Sequence, residues 1–234
     1  MRRLLIVAVM IFVPLCVFAA LTDTIAKVDT LHDQGKYEEA RAIALEAVGS
    51  ASAAEKAELY WRAARETLEL GDVAEDNKVA KDAILKIFEQ GEKYADMAIA
   101  ADPRNNLAYY WKSSNIGRWG QVKGILNSLF KAAPMRELLA KDLSLDASHP
   151  DAYHVLGQLY RELPGGPISF GDADAAVSFG RMGIDMRAKA VQAGTEKELN
   201  YNFYLQLAKT LYKRNLTAAK RAAGQAKNLV AFQA

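Results

Sequence analysis

The 234-residue sequence has little of what a chemical site requires. It contains one cysteine, Cys16, and three histidines, His32, His149 and His154. A single cysteine cannot form an intrachain disulfide, and the histidines lack the spacing of a metal site. The motifs of metalloproteases, serine hydrolases, P-loop NTPases and dinucleotide-binding enzymes are also missing. We therefore expect no catalytic residues, no metal and no cofactor. A hydrolase is the least favoured alternative.

The sequence also lacks an excess of either charge. Its formal net charge is +2, and without Arg2 and Arg3 it has 28 basic and 28 acidic residues. Without a basic stripe there is no electrostatic basis for binding nucleic acid, so we expect none. No alternating run of Val, Ile and Thr predicts a sheet.

The N-terminal twenty residues have the pattern of a secretory signal peptide. Arg2 and Arg3 precede the apolar run 4–18, and Val17 and Ala19 are small residues at cleavage-site spacing. We predict cleavage after Ala19 or Ala20, and a mature chain in the periplasm. Two alternatives stay open: an uncleaved anchor, which the short run and its proline disfavour, and lipid attachment at Cys16, which the preceding leucine disfavours.

The remaining chain repeats one register. Large residues near predicted helix starts are followed four positions later by a small residue and eleven positions later by a helix breaker or weak helix former. The large residues are Tyr60, Tyr109, Tyr153 and Tyr204, the small ones Ala64, Ser113, Gly157 and Ala208, and the breakers Gly71, Gly120, Pro164 and Asn215. A large and a small residue on one helix face allow a second helix to approach closely. We therefore predict that Gly157 lies at a helix–helix contact.

The segment 153–160, with its Tyr-x-x-Leu-Gly-x-x-Tyr spacing, together with Ala175 and Phe179, resembles the tetratricopeptide repeat (TPR). With a weaker copy that begins at Thr24, the copies begin 36 to 51 residues apart, against about 34 in that family, so insertions are expected. Residues 105–164 further resemble the helical repeats of the regulator-of-microtubule-dynamics group. These resemblances imply an all-α, TPR-like right-handed superhelix of about five helical hairpins over residues 21–234.

The helical period and the Gly and Pro positions predict ten helices. They cover residues 23–34, 37–48, 53–70, 77–101, 106–117, 121–144 with a break near Pro134, 150–162, 172–190, 196–213 and 216–230.

Two glycine-bearing segments interrupt this helical pattern. Residues 161–172, RELPGGPISFGD, are interpreted as an enlarged turn, with a loop over the end of a groove as the functional alternative. Either Gly165 or Gly166 is expected to have a positive φ that closes the preceding helix. Residues 115–120 are interpreted as an inter-helix turn, with a lip over a binding site as the alternative.

The TPR resemblance also implies which residues face the inner groove. The residue after each opening aromatic and the residue four positions later point inward in that family. The candidate groove residues are Trp61, Arg65, Tyr110, Ser114, His154, Gln158, Leu205 and Lys209, with Arg161 and Lys213 from the following turn. Aromatic and cationic side chains among neutral polar ones suit an extended peptide or a small anion.

The predicted function is binding. The chain is interpreted as a non-catalytic scaffold or adaptor that holds a peptide or partner protein in its concave groove. The alternative is a small-molecule-binding accessory component of a periplasmic solute transport system, in which the insertions enclose a pocket. A membrane is expected as a partner only if the signal segment is retained or lipidated.

Overall fold

The computed structural model describes residues 13–214 and 219, and this part of the chain is helical without a strand. The α-helices are α1 Val13–Asp33, α2 Tyr37–Ala47, α3 Ala53–Asp76, α4 Lys81–Ala101, α5 Asn106–Lys123, α6 Ile125–Ser128, α7 Ala132–Leu145, α8 Pro150–Glu162, α9 Ala173–Gln192 and α10 Tyr201–Arg214. Short 3₁₀ helices cover Val48–Ser50 and Leu129–Lys131. None of the described helices is both long and apolar enough to span a membrane.

The chain divides into two compact units, Met1–Trp111 and Lys112–Ala234. In the first unit α1 packs on α2, α2 on α3, and α3 on α4. One part of its core joins the first three of these helices and contains Val28, Leu31, Ala40, Ala44 and Leu59. A second part joins Trp61, Ala98 and Ala108. Consecutive antiparallel helices that share a continuous core are the building pattern of helical-repeat proteins.

In the second unit, α8 and α9 form the main helical hairpin, and α10 packs on α9. Gly157 lies where α8 meets α9. A Cβ atom there would lie 3.1 Å from the backbone nitrogen of Gly180 and 3.2 Å from the carbonyl oxygen of Ala176. The prediction of a close helix contact at Gly157 is therefore confirmed.

Local sequence explains several helix boundaries. Ser52 and Glu55 form a capping box at the start of α3, and the Asp172 carboxylate accepts the backbone N–H groups of residues 174 and 175 at the start of α9. Pro150 occupies the first turn of α8, where its missing N–H is tolerated. Gly35 follows α1 with φ +72°, a conformation that closes a helix.

Several predicted helix boundaries are wrong. The predicted helix 121–144 is interrupted at Gly124 and over Leu129–Lys131 rather than near Pro134, which lies in the first turn of α7. Gly71 lies inside α3 and Gly120 inside α5, so neither glycine breaks its helix, and residues 115–120 are not a turn. Both glycines instead allow a neighbour to approach. A Cβ at Gly71 would lie 2.4 Å from the Phe88 ring, and one at Gly120 would lie 3.2 Å from Ser128 Oγ. Tertiary packing thus outweighs the low helix propensity of glycine.

The loop between α8 and α9 is a turn, but its predicted glycine geometry is wrong. Neither Gly165 nor Gly166 has a positive φ. The end of α8 comes from Leu163, which is extended at φ −71° and ψ 147°, since a residue before proline is disfavoured in the helical region. The glycine that the loop requires is Gly171, where a Cβ would lie 2.0 Å from the carbonyl oxygen of Leu163.

The ends of the chain leave two predictions without a structural outcome. The breaker Asn215 and the predicted helix 216–230, apart from residue 219, lie outside the described residues. The predicted cleavage site lies within α1, which begins at Val13. Cleavage therefore stays a prediction.

Candidate functional site

A pocket of about 80 Å³ lies in the second unit, between the C-terminal half of α5 and α8, with α6 and α7 closing its side. Its lining is mainly apolar, and the polar groups are few. The lining residues are Ile116, Gly117, Gly120, Gln121, Ile125, Ser128, Lys131, Ala132, Met135, Val155, Gln158, Leu159, Glu162 and Leu163. An apolar recess with a few polar groups at its wall is the usual form of a binding site for an apolar group.

Two glycines of α5 line this pocket and allow α6 and α7 to approach closely. Gly117 faces Met135 of α7, whose Cε atom would lie 2.9 Å from an added Cβ. Gly120 faces Ser128, whose hydroxyl lies within hydrogen-bond distance of the carbonyl oxygens of Gly120, Gly124 and Ile125 at 3.1–3.3 Å. The hydroxyl therefore fixes α6 against the end of α5, and the side of the pocket is a defined structure.

Gln158 provides a polar group on the α8 wall. Its Nε2 lies 2.8 Å from Nε2 of His154. With the amide as donor, the imidazole accepts at Nε2 and carries its proton on Nδ1. This bond orients the Gln158 side chain on the wall of the pocket.

His154 holds Gln158 in place and packs against α10. Its ring stacks on Phe203 of α10, with ring centroids 4.1 Å apart and planes inclined by 10°. Burial, aided by the positive charge of Arg161, lowers the pKa of His154 to about 4. The imidazole is therefore neutral at pH 7 and can accept the bond from Gln158.

The other predicted groove residues of the second unit lie apart from the pocket. Arg161 Nη1 donates to the carbonyl oxygen of Gln206 at 3.0 Å, and Lys213 donates to the carbonyl oxygen of Arg161. Both cations thereby join α8 to α10. Lys209 is exposed, and Leu205 is 54% exposed. Ser114 has a buried hydroxyl with no hydrogen-bond partner in the described part of the chain.

In the first unit, Arg65 belongs to an ion-pair network, and Trp61 packs against its arginines. Trp61 is only 5% exposed, with the Arg62 guanidinium 4.1 Å from its ring centroid. Asp29 accepts from Arg62 through both carboxylate oxygens at 2.9–3.1 Å and from Arg65 at 2.8 Å. Burial works to raise the pKa of Asp29, but the bonds and charges of the two arginines outweigh it and hold that pKa below its ordinary value.

This network continues to buried Glu66, which binds Arg65 at 2.8 Å and His32 at 3.0 Å. The acidic and basic side chains of this network pair with one another, and these pairs join α1 to α3. Tyr110, also predicted to face the groove, lies edge-on against Trp111 at 5.0 Å. A binding role for these first-unit residues stays a prediction.

Of the ten candidate groove residues, Gln158 lines the pocket and His154 supports it. The α5, α6 and α7 walls were missed. The alternative interpretation of 115–120 as a lip over a binding site came nearest, because Ile116, Gly117 and Gly120 line the pocket. A further signal was present in the sequence: residues 112–136 hold five basic residues and no acidic one. The net charge of the whole chain, +2, does not reveal this basic segment.

Comparison with known proteins identifies the repeat type. The family model described as regulator of microtubule dynamics protein 1-3 matches residues 24–163. The solved structure described as the MamA RS-1 ArsTM double mutant is similar over 88% of this chain and 93% of that chain, with 13% sequence identity and a TM-score of 0.52. At this identity the likeness shows the fold alone, a TPR-like helical repeat. The comparison with curated protein sequences gives no significant match.

Proposed function

The chain belongs to the regulator of microtubule dynamics protein 1-3 family, and we propose that it is a non-catalytic binding protein. In this proposal the pocket between α5 and α8 holds an apolar side chain of a peptide segment from a partner protein. The TPR-like repeat fold supports a scaffold role, because stacked helical hairpins present extended surfaces for other chains.

The observation that carries the proposal is the size and lining of the pocket. Its volume of about 80 Å³ is well below the roughly 300–1,000 Å³ of small-molecule sites. A recess of this size accepts a side chain rather than a whole metabolite. The pocket therefore favours peptide binding over the solute-transport alternative.

The polar groups at the wall suit a peptide as well. Gln158 is oriented by His154, and Gln121 stands on the opposite wall, on α5. Amide side chains can donate to and accept from the main chain of an extended peptide. The apolar recess would then select a side chain while the amides hold the backbone on either side of it.

We further propose that the chain acts in the periplasm after removal of its signal segment. The support is the sequence pattern of residues 1–20. For this reason we carry over from the family its fold and not a microtubule partner. Mass spectrometry of the protein from its native host should find an N-terminus at Ala20 or Leu21. Intact Met1 on a membrane-bound protein would contradict export by cleavage.

The binding proposal is tested by selecting peptides from a displayed random library on the purified protein and measuring their affinity by fluorescence anisotropy. Val155→Phe fills the pocket from α8 and should weaken the selected peptides at least about tenfold, the effect expected at an interface hot spot. Val191→Phe on α9 is the matched control, since Val191 is also half-buried but does not line the pocket.

Two results would contradict peptide binding in the pocket. If no peptide is enriched, or if Val155→Phe binds the selected peptides as tightly as the wild type, the pocket does not hold a peptide side chain. Circular dichroism of both variants establishes that each one is folded before the comparison is made.

A further inference from the structure

The segment Lys123–Lys131 connects α5 to α7 and borders the pocket; we call it the basic lip. It exposes two large apolar side chains, with Leu126 74% and Phe130 69% accessible. These residues are four positions apart. Ile125, Ser128 and Lys131 of the same segment line the pocket. The lip therefore joins an exposed apolar surface to the recess beside it.

The basic lip has a defined shape. Gly124 has φ +101°, so the sharp turn between α5 and α6 depends on glycine at this position. The Ser128 hydroxyl then ties the segment to the carbonyl oxygen of Gly120. Phe130 lies edge-on to buried Trp119, with centroids 6.2 Å apart and planes at 78°. The exposed ring is thus held in place on its inner edge, which lowers the entropic cost of binding.

The charged residues of the segment 112–136 are all basic. The ammonium groups of Lys123 and Lys131 lie 5.8 Å and 4.5 Å from the centroid of Trp119. Glu137 is the first acidic residue after this segment, and Glu162 is the acidic residue that lines the pocket. The Glu162 carboxylate is paired with Arg161 at 2.8 Å. The five basic residues of the segment 112–136 are Lys112, Arg118, Lys123, Lys131 and Arg136.

We propose that the basic lip docks an acidic, amphipathic segment of a partner protein. Leu126 and Phe130 pack against apolar side chains of that segment, and its carboxylates lie near Lys123 and Lys131. This inference rests on the proposed function and adds the chemistry of the partner. The adjoining recess favours a protein segment over a lipid surface, because a peptide can insert one side chain into it while lying across the lip.

Charge also argues against the chain's own ends as the occupant. Residues 1–12 and 215–234 each contain basic residues and no acidic residue. Neither segment complements a basic surface. The occupant is therefore a different chain with carboxylates beside its apolar residues.

The test uses two labelled synthetic peptides with leucine and phenylalanine at the same positions. One carries glutamate and the other lysine at every polar position. Anisotropy titration of the wild type should show binding of the glutamate peptide and none of the lysine peptide. The affinity for the glutamate peptide should decrease as the salt concentration rises from about 0.05 M to 0.5 M, because salt screens exposed charges.

Variants locate the binding. Lys123→Glu alone should weaken binding of the glutamate peptide about two- to fivefold. The double variant Lys123→Glu with Lys131→Glu should weaken it at least about tenfold and should bind the lysine peptide instead. Lys189→Glu, at an exposed residue of α9, should change nothing. Phe130→Ser should weaken binding at least about tenfold, whereas Tyr212→Ser, at an 88% exposed tyrosine of α10, should not.

Several outcomes overturn the inference: equal binding of both peptides, equal loss in Lys189→Glu, or no loss in Phe130→Ser. Binding of phosphatidylglycerol vesicles through Phe130 without binding of the glutamate peptide would assign the lip to lipid. Self-association abolished by Phe130→Ser would assign it to a second copy. Val155→Phe separates the two proposals. If it weakens library-selected peptides while the lip variants do not, the pocket proposal stands and the lip inference fails.

Discussion

Gly157→Leu is expected to destabilise the second unit, and the structure sets the size of the effect. An added Cβ would lie 3.1 Å and 3.2 Å from backbone atoms of Gly180 and Ala176 on α9. Neither atom can rotate away, so α8 and α9 must move apart. Gly157→Ala gains about 1 kcal/mol of helix propensity but loses about 1–3 kcal/mol to overpacking. The net loss is up to about 2 kcal/mol.

The larger leucine has no compensating space on that face, so Gly157→Leu should lose about 3 kcal/mol or more. Urea denaturation followed by circular dichroism measures the loss as a lower midpoint. Gly49→Leu is the control, because a Cβ at Gly49 meets no atom within 4 Å. A Gly157→Leu variant with the wild-type midpoint would refute the assignment of this position to the helix contact.

Three further predictions concern the second unit. Gly171→Ala should lower the midpoint clearly while Gly166→Ala changes it little, because only the first adds a methyl group into backbone atoms; equal midpoints would contradict the loop geometry. Burial keeps the pKa of His154 at about 4. In the unfolded chain this histidine is protonated near pH 6.5, whereas in the folded chain it stays neutral down to about pH 4. The free energy of unfolding therefore falls by up to about 3 kcal/mol as the pH decreases from 6.5 to 4. Denaturation curves of His154→Gln should lack this component, and an unchanged pH profile would contradict it. His149 behaves oppositely. Burial works to lower its pKa, but its 2.7 Å bond to Asp142 and the surrounding carboxylates raise it, so its contribution is complete below pH 6.5 and is lost as the pH rises through the folded pKa. His149→Asn should flatten the stability profile above pH 6.5, and a profile that still falls like the wild type would count against this.

The sequence allowed the repeat fold to be predicted because its strongest signals report local packing. The Tyr153-to-Gly157 spacing identified the contact between α8 and α9, and Pro164 marked the end of α8. The predicted boundaries between residues 34 and 37, between 101 and 106, and at 150 agree with the structure, and they lie at Gly35, Pro103 and Pro150. These residues act through their own backbone geometry, which the sequence specifies directly.

Where the sequence misled, a distant partner decided the outcome. Gly71 and Gly120 look like helix ends, yet Phe88 and Ser128 occupy the space that a side chain there would take. No local pattern identifies these partners. Gly165 or Gly166 was expected to shape the loop, whereas the loop requires Gly171, because the close approach of Gly171 to Leu163 exists only in the folded loop.

The candidate site was only partly predictable. Carrying the TPR groove positions onto this chain found Gln158 and His154 on α8. It missed the α5 wall because α5 continues past Gly117 to Lys123. It also missed Leu126 and Phe130, since whether an apolar residue is exposed depends on the packing of α6.

The central claim is that a peptide side chain enters the pocket between α5 and α8. It is tested most directly by NMR of methyl-labelled protein titrated with a library-selected peptide. The methyl groups of Met135, Val155 and Leu159 should shift and show contacts to one apolar side chain of the peptide. Saturating binding that leaves these three methyl groups unchanged, with shifts confined to α3 and α4, would contradict the account.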